Sequence, residues 1–259
     1  MTAVDTQTIH RVMHEIKRRK LEVLRVVDLT PRMRRITLGG PELAGFISLG
    51  TDDHVKLLFP QNAEQAAALE TMVLGAGKDN GPLPEMRDYT PRRYDLDSLE
   101  LDIDFVLHGD GPASTWAAQA APGQTLDIAG PRASLVVPDI FDSYLLIGDE
   151  TAIPAIGRRL EELPAGRQVL AVIQIEDEHE RQPLPSKAQV EVIWVRRQGE
   201  DLLELVRNLS LPQGQLYAWV ALEKALTRQA KALLLEKGVK EDALKAAAYW
   251  RANGTADDE

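Results

Sequence analysis

The interpretation of this chain depends on the stretch Arg87-Asp88-Tyr89-Thr90, which is followed by Pro91-Arg92-Arg93-Tyr94. It combines a guanidinium with a hydroxyl-bearing aromatic ring two positions away. Such a ring can pack on a flat heteroaromatic ligand, while the planar guanidinium binds phosphate oxygens in pairs. The stretch therefore predicts a strand that contacts an aromatic cofactor carrying phosphates.

A second segment follows in the order that such a cofactor needs. An apolar strand over 103–107 leads into His108-Gly109-Asp110-Gly111-Pro112-Ala113-Ser114, where we predict that an amphipathic helix begins. A helix N-terminus offers unpaired amides and the positive end of the helix dipole to a pyrophosphate. Gly-Pro-Ala-Ser before a helix also fits a simple N-cap. The order and spacing of the two segments favour a flavin site.

Composition excludes several classes of protein. The 259 residues include no cysteine, which rules out disulfides and thiolate-held metal clusters. The net charge of −10 is unfavourable for binding nucleic acid, because such binding needs a basic surface. We find no signal peptide and no apolar run of about 20 residues. We therefore expect a cytoplasmic protein that binds no nucleic acid and does not insert into a membrane. A monomer is expected as well, although the sequence leaves the oligomeric state open.

The pattern of short segments predicts two domains, over 1–140 and 141–259. Residues 1 to about 18 are interpreted as a helix or a frayed arm, and 61–81 as an insertion that is mobile in part. Strands predicted over 21–29, 34–38, 54–59, 86–94, 99–107 and 125–129, with Gly/Pro turns between them, indicate an antiparallel β-barrel. After residue 141, strands alternate with helices, which indicates a doubly wound parallel sheet. Its last two elements are predicted as helices over 224–237 and 241–249.

The chain resembles the siderophore-interacting proteins, which are FAD-dependent ferric-siderophore reductases related in architecture to ferredoxin-NADP reductases. Six blocks carry this resemblance in order across nearly the whole chain. They are Asp52-Asp53-His54-Val55-Lys56-Leu57, Arg87-Asp88-Tyr89-Thr90, the segment from Asp104-Phe105 through His108 to Ala117, Ala129-Gly130-Pro131-Arg132, Gly148-Asp149-Glu150-Thr151-Ala152-Ile153-Pro154-Ala155 and Ala248-Tyr249-Trp250-Arg251.

The resemblance implies a six-stranded FAD-binding β-barrel followed by an NAD(P)H-binding α/β domain. It places Tyr89 and Thr90 beside the isoalloxazine ring and Arg87 on the FAD phosphates. The other predicted cofactor contacts are Asp88, Asp104, His108, Gly111, Ala113, Ser114, Asp149, Glu150 and Thr151. Several also have a structural interpretation: Tyr89 as a packing residue, and Asp149 and Glu150 as partners of a helix dipole.

The function implied is transfer of electrons from NADPH or NADH through FAD to the Fe(III) of a siderophore or another ferric chelate, which releases Fe(II). Lys56, Arg132 and Lys245 are predicted to hold the anionic chelate, although each one alone fits a surface cation. No catalytic side chain and no resident metal are predicted. A general flavin or ferredoxin-type reductase and a non-enzymatic siderophore-binding protein remain open. So do the choice of electron donor and the role of Tyr249 and Trp250, which resemble the C-terminal aromatic that covers the flavin in related reductases.

Overall fold

Short strands with alternating apolar residues build the first half of the chain. The computed structural model describes residues 7–72, 82–109 and 111–252, and it separates Met1–Val137 from Pro138–Glu259 as two units. In the first unit the strands are β1 (His10–Met13), β2 (Arg18–Thr30), β3 (Met33–Gly39), β4 (Val55–Phe59), β5 (Glu85–Tyr89), β6 (Pro91–Asp95), β7 (Glu100–Val106), β8 (Thr125–Ala129) and β9 (Ala133–Val136). The helices are α1 (Ala63–Thr71) and α2 (Pro112–Gln119).

Seven of these strands form one antiparallel, curled sheet in the order β5-β4-β8-β2-β3-β7-β6. Its two outer strands, β5 and β6, are separated by Thr90 alone, so the chain itself joins the two edges. Counted as one strand, they give the six strands predicted for a barrel. Alternate residues such as Leu21, Val23, Ile36 and Leu38 point into the core, because successive side chains of a strand face opposite ways. Strands β1 and β9 pair separately as a two-stranded ribbon.

The second unit is a parallel sheet, as predicted. Its strands are β10 (Ser143–Asp149), β11 (Gln168–Ile175), β12 (Gln189–Arg196), β13 (Leu216–Glu223) and β14 (Leu244–Trp250), in the order β12-β11-β10-β13-β14. Its helices are α3 (Ile153–Glu162), α4 (Leu202–Asn208) and α5 (Lys224–Glu236). The strand order reverses between β10 and β13, and in open sheets of this kind ligands bind beyond the carboxyl ends of the strands at such a point.

Two predicted helices are wrong. The segment 241–249 contains one short 3-10 turn, and then β14 pairs in parallel with β13. Its alanines favour a helix, but helix propensity is weak beside the backbone hydrogen bonds that the edge of β13 offers. Near the start of the chain, where a helix or arm was predicted, β1 pairs with β9, more than a hundred residues away, and residues 1–6 lie outside the described residues. No described helix is long and apolar enough to cross a membrane. The predicted insertion contains α1, and its segment 73–81 lies outside the described residues.

Candidate functional site

Tyr89 lies at the end of β5 on the face of the sheet that covers the barrel core. Its ring packs against Phe105 with a centroid distance of 4.6 Å, and Phe105 in turn lies 5.7 Å from the ring of Trp116 in α2. Burial raises the pKa of the Tyr89 hydroxyl, and the nearby Arg87 only partly opposes this shift. The hydroxyl is therefore protonated at neutral pH. Among the described residues it has no hydrogen-bond partner, so it can donate to a ligand.

The side chains of the 87–90 stretch alternate between the two faces of the sheet. Arg87 lies opposite Leu57 and Tyr89 opposite Val55, whereas Asp88 lies opposite Lys56 on the other face. The Lys56 ammonium contacts the Asp88 carboxylate at 2.9 Å. The structure thus groups Arg87 with Tyr89, and it pairs Asp88, a predicted cofactor contact, with a predicted substrate contact. The Arg87 guanidinium is half exposed and contacts Glu85 at 2.9 Å.

Helix α2 begins beside this aromatic cluster. Gly111 precedes it with φ of 145°, a conformation that favours glycine, and Pro112 occupies the first turn. Gly111 at the N-cap offers no side-chain acceptor, so among the described residues no side chain caps the first-turn amides of Ala113 and Ser114. The Ser114 hydroxyl instead accepts a hydrogen bond from the backbone N–H of His108 at 3.1 Å, which closes the loop onto the helix. The His108 residue itself is exposed.

A cavity of about 660 Å³ adjoins this helix start within the first unit. Gly111, Pro112 and Trp116 line one side, and Lys20 and Glu70 lie on another. Unpaired amides at a helix N-terminus bind phosphate, while aromatic walls bind flat rings. The unpartnered hydroxyl of Tyr89, the start of α2 and the adjoining cavity together fit a flavin dinucleotide.

Among the predicted cofactor contacts, Asp104 and Thr90 are buried within the sheet of the first unit. The Asp104 carboxylate, 1% exposed, receives two hydrogen bonds from the Arg35 guanidinium at 2.6 and 2.8 Å, across the β3–β7 pair. Thr90 is 7% exposed, at the residue that joins β5 to β6. Arg35 gives Asp104 a structural role of its own. Contact of Asp104 and Thr90 with FAD stays a prediction.

In the second unit, Asp149 ends β10 and is almost completely buried. One carboxylate oxygen accepts hydrogen bonds from the backbone N–H and the hydroxyl of Thr151, at 2.9 and 2.5 Å. The other accepts from the indole N–H of Trp250 at 2.7 Å. Burial raises the pKa of Asp149, and these hydrogen bonds partly oppose the shift. The C-terminal strand therefore fixes the loop that follows β10.

Glu150 faces a cationic partner that the sequence did not single out for this role. The Arg197 guanidinium, just after β12, contacts Glu150 at 2.6 Å and Glu176 at 3.3 Å. It also lies 5.9 Å from the ring centroid of Trp250, within range of a cation–π contact. Burial raises the pKa of Glu150, and the positive charge of Arg197 partly offsets this rise. The ends of four parallel strands thus meet in one cluster, as the topology of the sheet requires.

The three predicted substrate cations are divided between the two units. Lys56 and Arg132 belong to the first and are exposed, whereas Lys245 lies in β14 of the second and is half-buried. Their convergence on one chelate stays a prediction. The neighbouring aromatics of β14 diverge: Trp250 contacts Asp149, whereas the ring of Tyr249 lies 5.9 Å from Trp219. Among the described residues no group of three or more His, Asp or Glu side chains is placed to hold a metal ion.

The fold of the two units defines the class: it is the ferredoxin-NADP reductase fold. A ferredoxin-NADP reductase of Neisseria gonorrhoeae, solved with FAD and NADP bound, superimposes with a TM-score of 0.62 over 90% of this chain and 99% of its own. Its sequence is only 14% identical, so it supports the fold alone. A siderophore utilization protein from T. fusca superimposes with a TM-score of 0.84 at 37% identity, over 96% of this chain and 99% of its own.

Sequence comparison places the chain within this class. Residues 22–135 match the siderophore-interacting FAD-binding domain, and residues 141–253 match the siderophore-interacting protein domain. The NADPH-dependent ferric-chelate reductase of Escherichia coli is 36% identical over 93% of this chain and 96% of its own. The ferric vibriobactin reductase of Vibrio cholerae is 31% identical over 90% of this chain and 89% of its own. This chain belongs to the siderophore-interacting protein family, as its motifs predict.

Proposed function

We propose that this protein is an NADPH-dependent ferric-siderophore reductase that uses FAD and acts in the cytoplasm. The observation that carries the proposal is the juxtaposition of Tyr89, with its unpartnered hydroxyl, and the uncapped start of α2. A phosphorylated aromatic cofactor needs both features, and this unit matches a siderophore-interacting FAD-binding domain. The relatives named as ferric-chelate and ferric vibriobactin reductases support the choice of substrate.

Residues of the first unit hold the cofactor in this proposal. The amides of Ala113 and Ser114 and the guanidinium of Arg87 bind its phosphates, and Tyr89 donates a hydrogen bond at the ring. Gly111 keeps the approach to the helix free of a side chain. When bound, FAD supplies the conversion of a two-electron hydride into single electrons for Fe(III). The chain contributes binding, orientation and charge, and it needs no nucleophile.

The cluster at the carboxyl edge of the second sheet orients the nicotinamide nucleotide. Asp149 holds Thr151 in a tight turn at the strand end, and Trp250 fixes Asp149 from the other side. Arg197 neutralises Glu150, which would otherwise repel a phosphorylated donor. We assign NADPH as the donor because the Escherichia coli relative uses it by name.

Lys56, Arg132 and Lys245 hold the anionic ferric chelate, whose charge they complement. Fe(II) binds such a chelator more weakly than Fe(III) does, so reduction releases the metal. Mutation of all three cations to alanine should raise KM for a tris-catecholate chelate and leave KM for NADPH unchanged. An unchanged chelate KM in that triple variant would reject this binding site.

Comparison of electron acceptors tests the proposed activity. With NADPH as donor, turnover on a ferric tris-catecholate should exceed turnover on a ferredoxin or on free flavin. Faster turnover on ferredoxin would identify a ferredoxin-type reductase instead. A purified protein that binds the ferric chelate but takes up no FAD would identify a non-enzymatic binding protein.

A further inference from the structure

Arg132 stands where the barrel joins the β1–β9 ribbon. It follows β8 by three residues and precedes Ser134 in β9 by two, and its backbone carbonyl accepts a hydrogen bond from the N–H of His14 at 2.9 Å. Lys56 lies directly opposite Ala129, the last residue of β8. The two predicted substrate cations of the first unit are thus carried by adjoining segments of backbone.

A buried cluster of hydrogen bonds ties these segments together. Asp53 is 3% exposed, and one of its carboxylate oxygens accepts hydrogen bonds from the Ser48 hydroxyl at 2.9 Å, the Gly50 N–H at 3.1 Å and the Ser134 hydroxyl at 2.5 Å. The Ser134 oxygen also accepts from the N–H of Leu49 at 3.0 Å. The side chain of Ser134 is completely buried. One carboxylate therefore connects the 48–53 loop to β9.

The same cluster reaches the residue that binds the Arg132 carbonyl. His14 Nε2 lies 2.7 Å from the Ser134 oxygen. Since the single proton of that hydroxyl is donated to Asp53, the Ser134 oxygen can only accept from His14, which places a proton on Nε2. His14 thus donates twice, from its side chain to Ser134 and from its backbone to Arg132. Asp53, Ser134 and His14 form a chain of donors and acceptors that ends at the Arg132 backbone.

Close backbone packing makes this region intolerant of displacement. A Cβ atom at Gly50 would lie 2.7 Å from the carbonyl oxygen of Leu135, the residue after Ser134. The 48–53 loop therefore lies directly on the backbone of β9, with no side chain between them. A shift of the loop would move β9, and Arg132 with it.

We propose that Asp53 and Ser134 are positioning residues for substrate binding. Ser134 sets the backbone at Arg132, and Asp53, two residues before β4, also sets the start of the strand that carries Lys56. This inference rests on the proposed function, because it takes Arg132 and Lys56 to be chelate contacts. Asp53 and Ser134 are buried and need touch neither chelate nor cofactor. They act by holding the two cations in one arrangement.

Binding of a redox-inert chelate tests this proposal without turnover. The probe is the gallium(III) complex of a hexadentate tris-catecholate, whose charge equals that of the ferric complex. Its Kd is measured for four FAD-loaded proteins: wild type, Ser134→Ala, Arg132→Ala and the double variant. We expect each single variant to raise Kd several-fold. The double variant should match Arg132→Ala, because Ser134 acts through Arg132.

Control variants separate positioning from general damage. Ser143→Ala removes another completely buried hydroxyl, which has no hydrogen-bond partner within the described part of the chain, and should leave Kd unchanged. Ser48→Ala removes one donor to Asp53 and replaces Ser134→Ala if that variant does not fold. KM for NADPH and FAD content should stay at wild-type values in the Ser134→Ala, Ser48→Ala and Ser143→Ala variants.

Two outcomes overturn the inference, and both differ from failure of the proposed function. If Arg132→Ala raises Kd while Ser134→Ala and Ser48→Ala leave it unchanged, the buried cluster has no positioning role. If the effects of Ser134→Ala and Arg132→Ala add fully in the double variant, the serine acts independently of Arg132. If wild type binds no chelate, or Arg132→Ala binds it as wild type does, the proposed binding site itself fails.

Discussion

The effect of the Lys56–Asp88 pair on chelate binding can be tested by a double-mutant cycle, and the expected changes in Kd can be calculated from charge. The two side chains are 51% and 49% exposed, so their interactions with a bound chelate are screened by water. At about 8 Å in water, a unit charge and a trianion interact by about 1.5 kcal/mol, and physiological salt reduces this to about 0.5–1 kcal/mol. Lys56→Ala should therefore raise Kd for the gallium tris-catecholate about two- to five-fold. Asp88→Asn should lower Kd by a similar factor, because it removes a negative charge that opposes the chelate.

The double variant Lys56→Ala/Asp88→Asn keeps the net charge of wild type and should bind within about a factor of two of it. Titration at about 0.01 M ionic strength should enlarge both single effects to about five- to ten-fold, since screening then extends over about 30 Å. Equal weakening in the double variant and in Lys56→Ala would refute the electrostatic account and indicate direct contact by the lysine. Loss of FAD from Asp88→Asn would assign Asp88 to the cofactor instead.

Three further predictions concern single contacts. Trp250→Phe removes the hydrogen bond to the buried Asp149 carboxylate. It should lower the free energy of unfolding, measured by urea denaturation, by about 1–3 kcal/mol. An unchanged free energy of unfolding would show that this bond adds no net stability. The free energy of unfolding of Glu150→Gln should increase relative to that of wild type as pH rises. Because the folded state raises the pKa of Glu150, wild type loses stability as pH increases through that pKa, whereas the glutamine does not titrate. A difference in stability that stays constant with pH would contradict the assigned burial effect. Ser114→Ala leaves the His108 N–H without its acceptor and should raise Kd for FAD about five- to ten-fold, measured by fluorescence titration. The control Ser98→Ala, in an exposed turn, should leave Kd unchanged. Equal Kd values for the two variants would show that the α2 turn does not belong to the cofactor site.

The strands were predictable from the sequence wherever the pattern of apolar residues within a strand shows which of its faces are buried. The alternation in β2 and β3 and the apolar run of β10 are visible in the sequence, because each strand shows its buried faces directly. Strands β1 and β14 were missed for a shared reason. Each gains its stability from a partner strand, β9 or β13, and their own residues do not display that partnership.

The candidate site was predictable as a set of motifs but not as a set of contacts. The 87–90 stretch identified Tyr89, yet only the strand register shows that Asp88 faces away from it toward Lys56. The ion pair between Arg197 and Glu150 was not predicted, because it forms between two strand ends that the chain order separates. Asp53 and Ser134 stand within or beside the family blocks, but their hydrogen bond depends on packing between distant segments.

Anaerobic reduction of the purified, FAD-loaded protein followed by addition of a ferric tris-catecholate tests the central claim most directly. NADPH should bleach the flavin absorbance, and the chelate should restore it while a ferrous-specific dye detects Fe(II) in proportion to the NADPH consumed. A flavin that NADPH bleaches but the ferric chelate does not reoxidise, with no Fe(II) detected, would contradict the account.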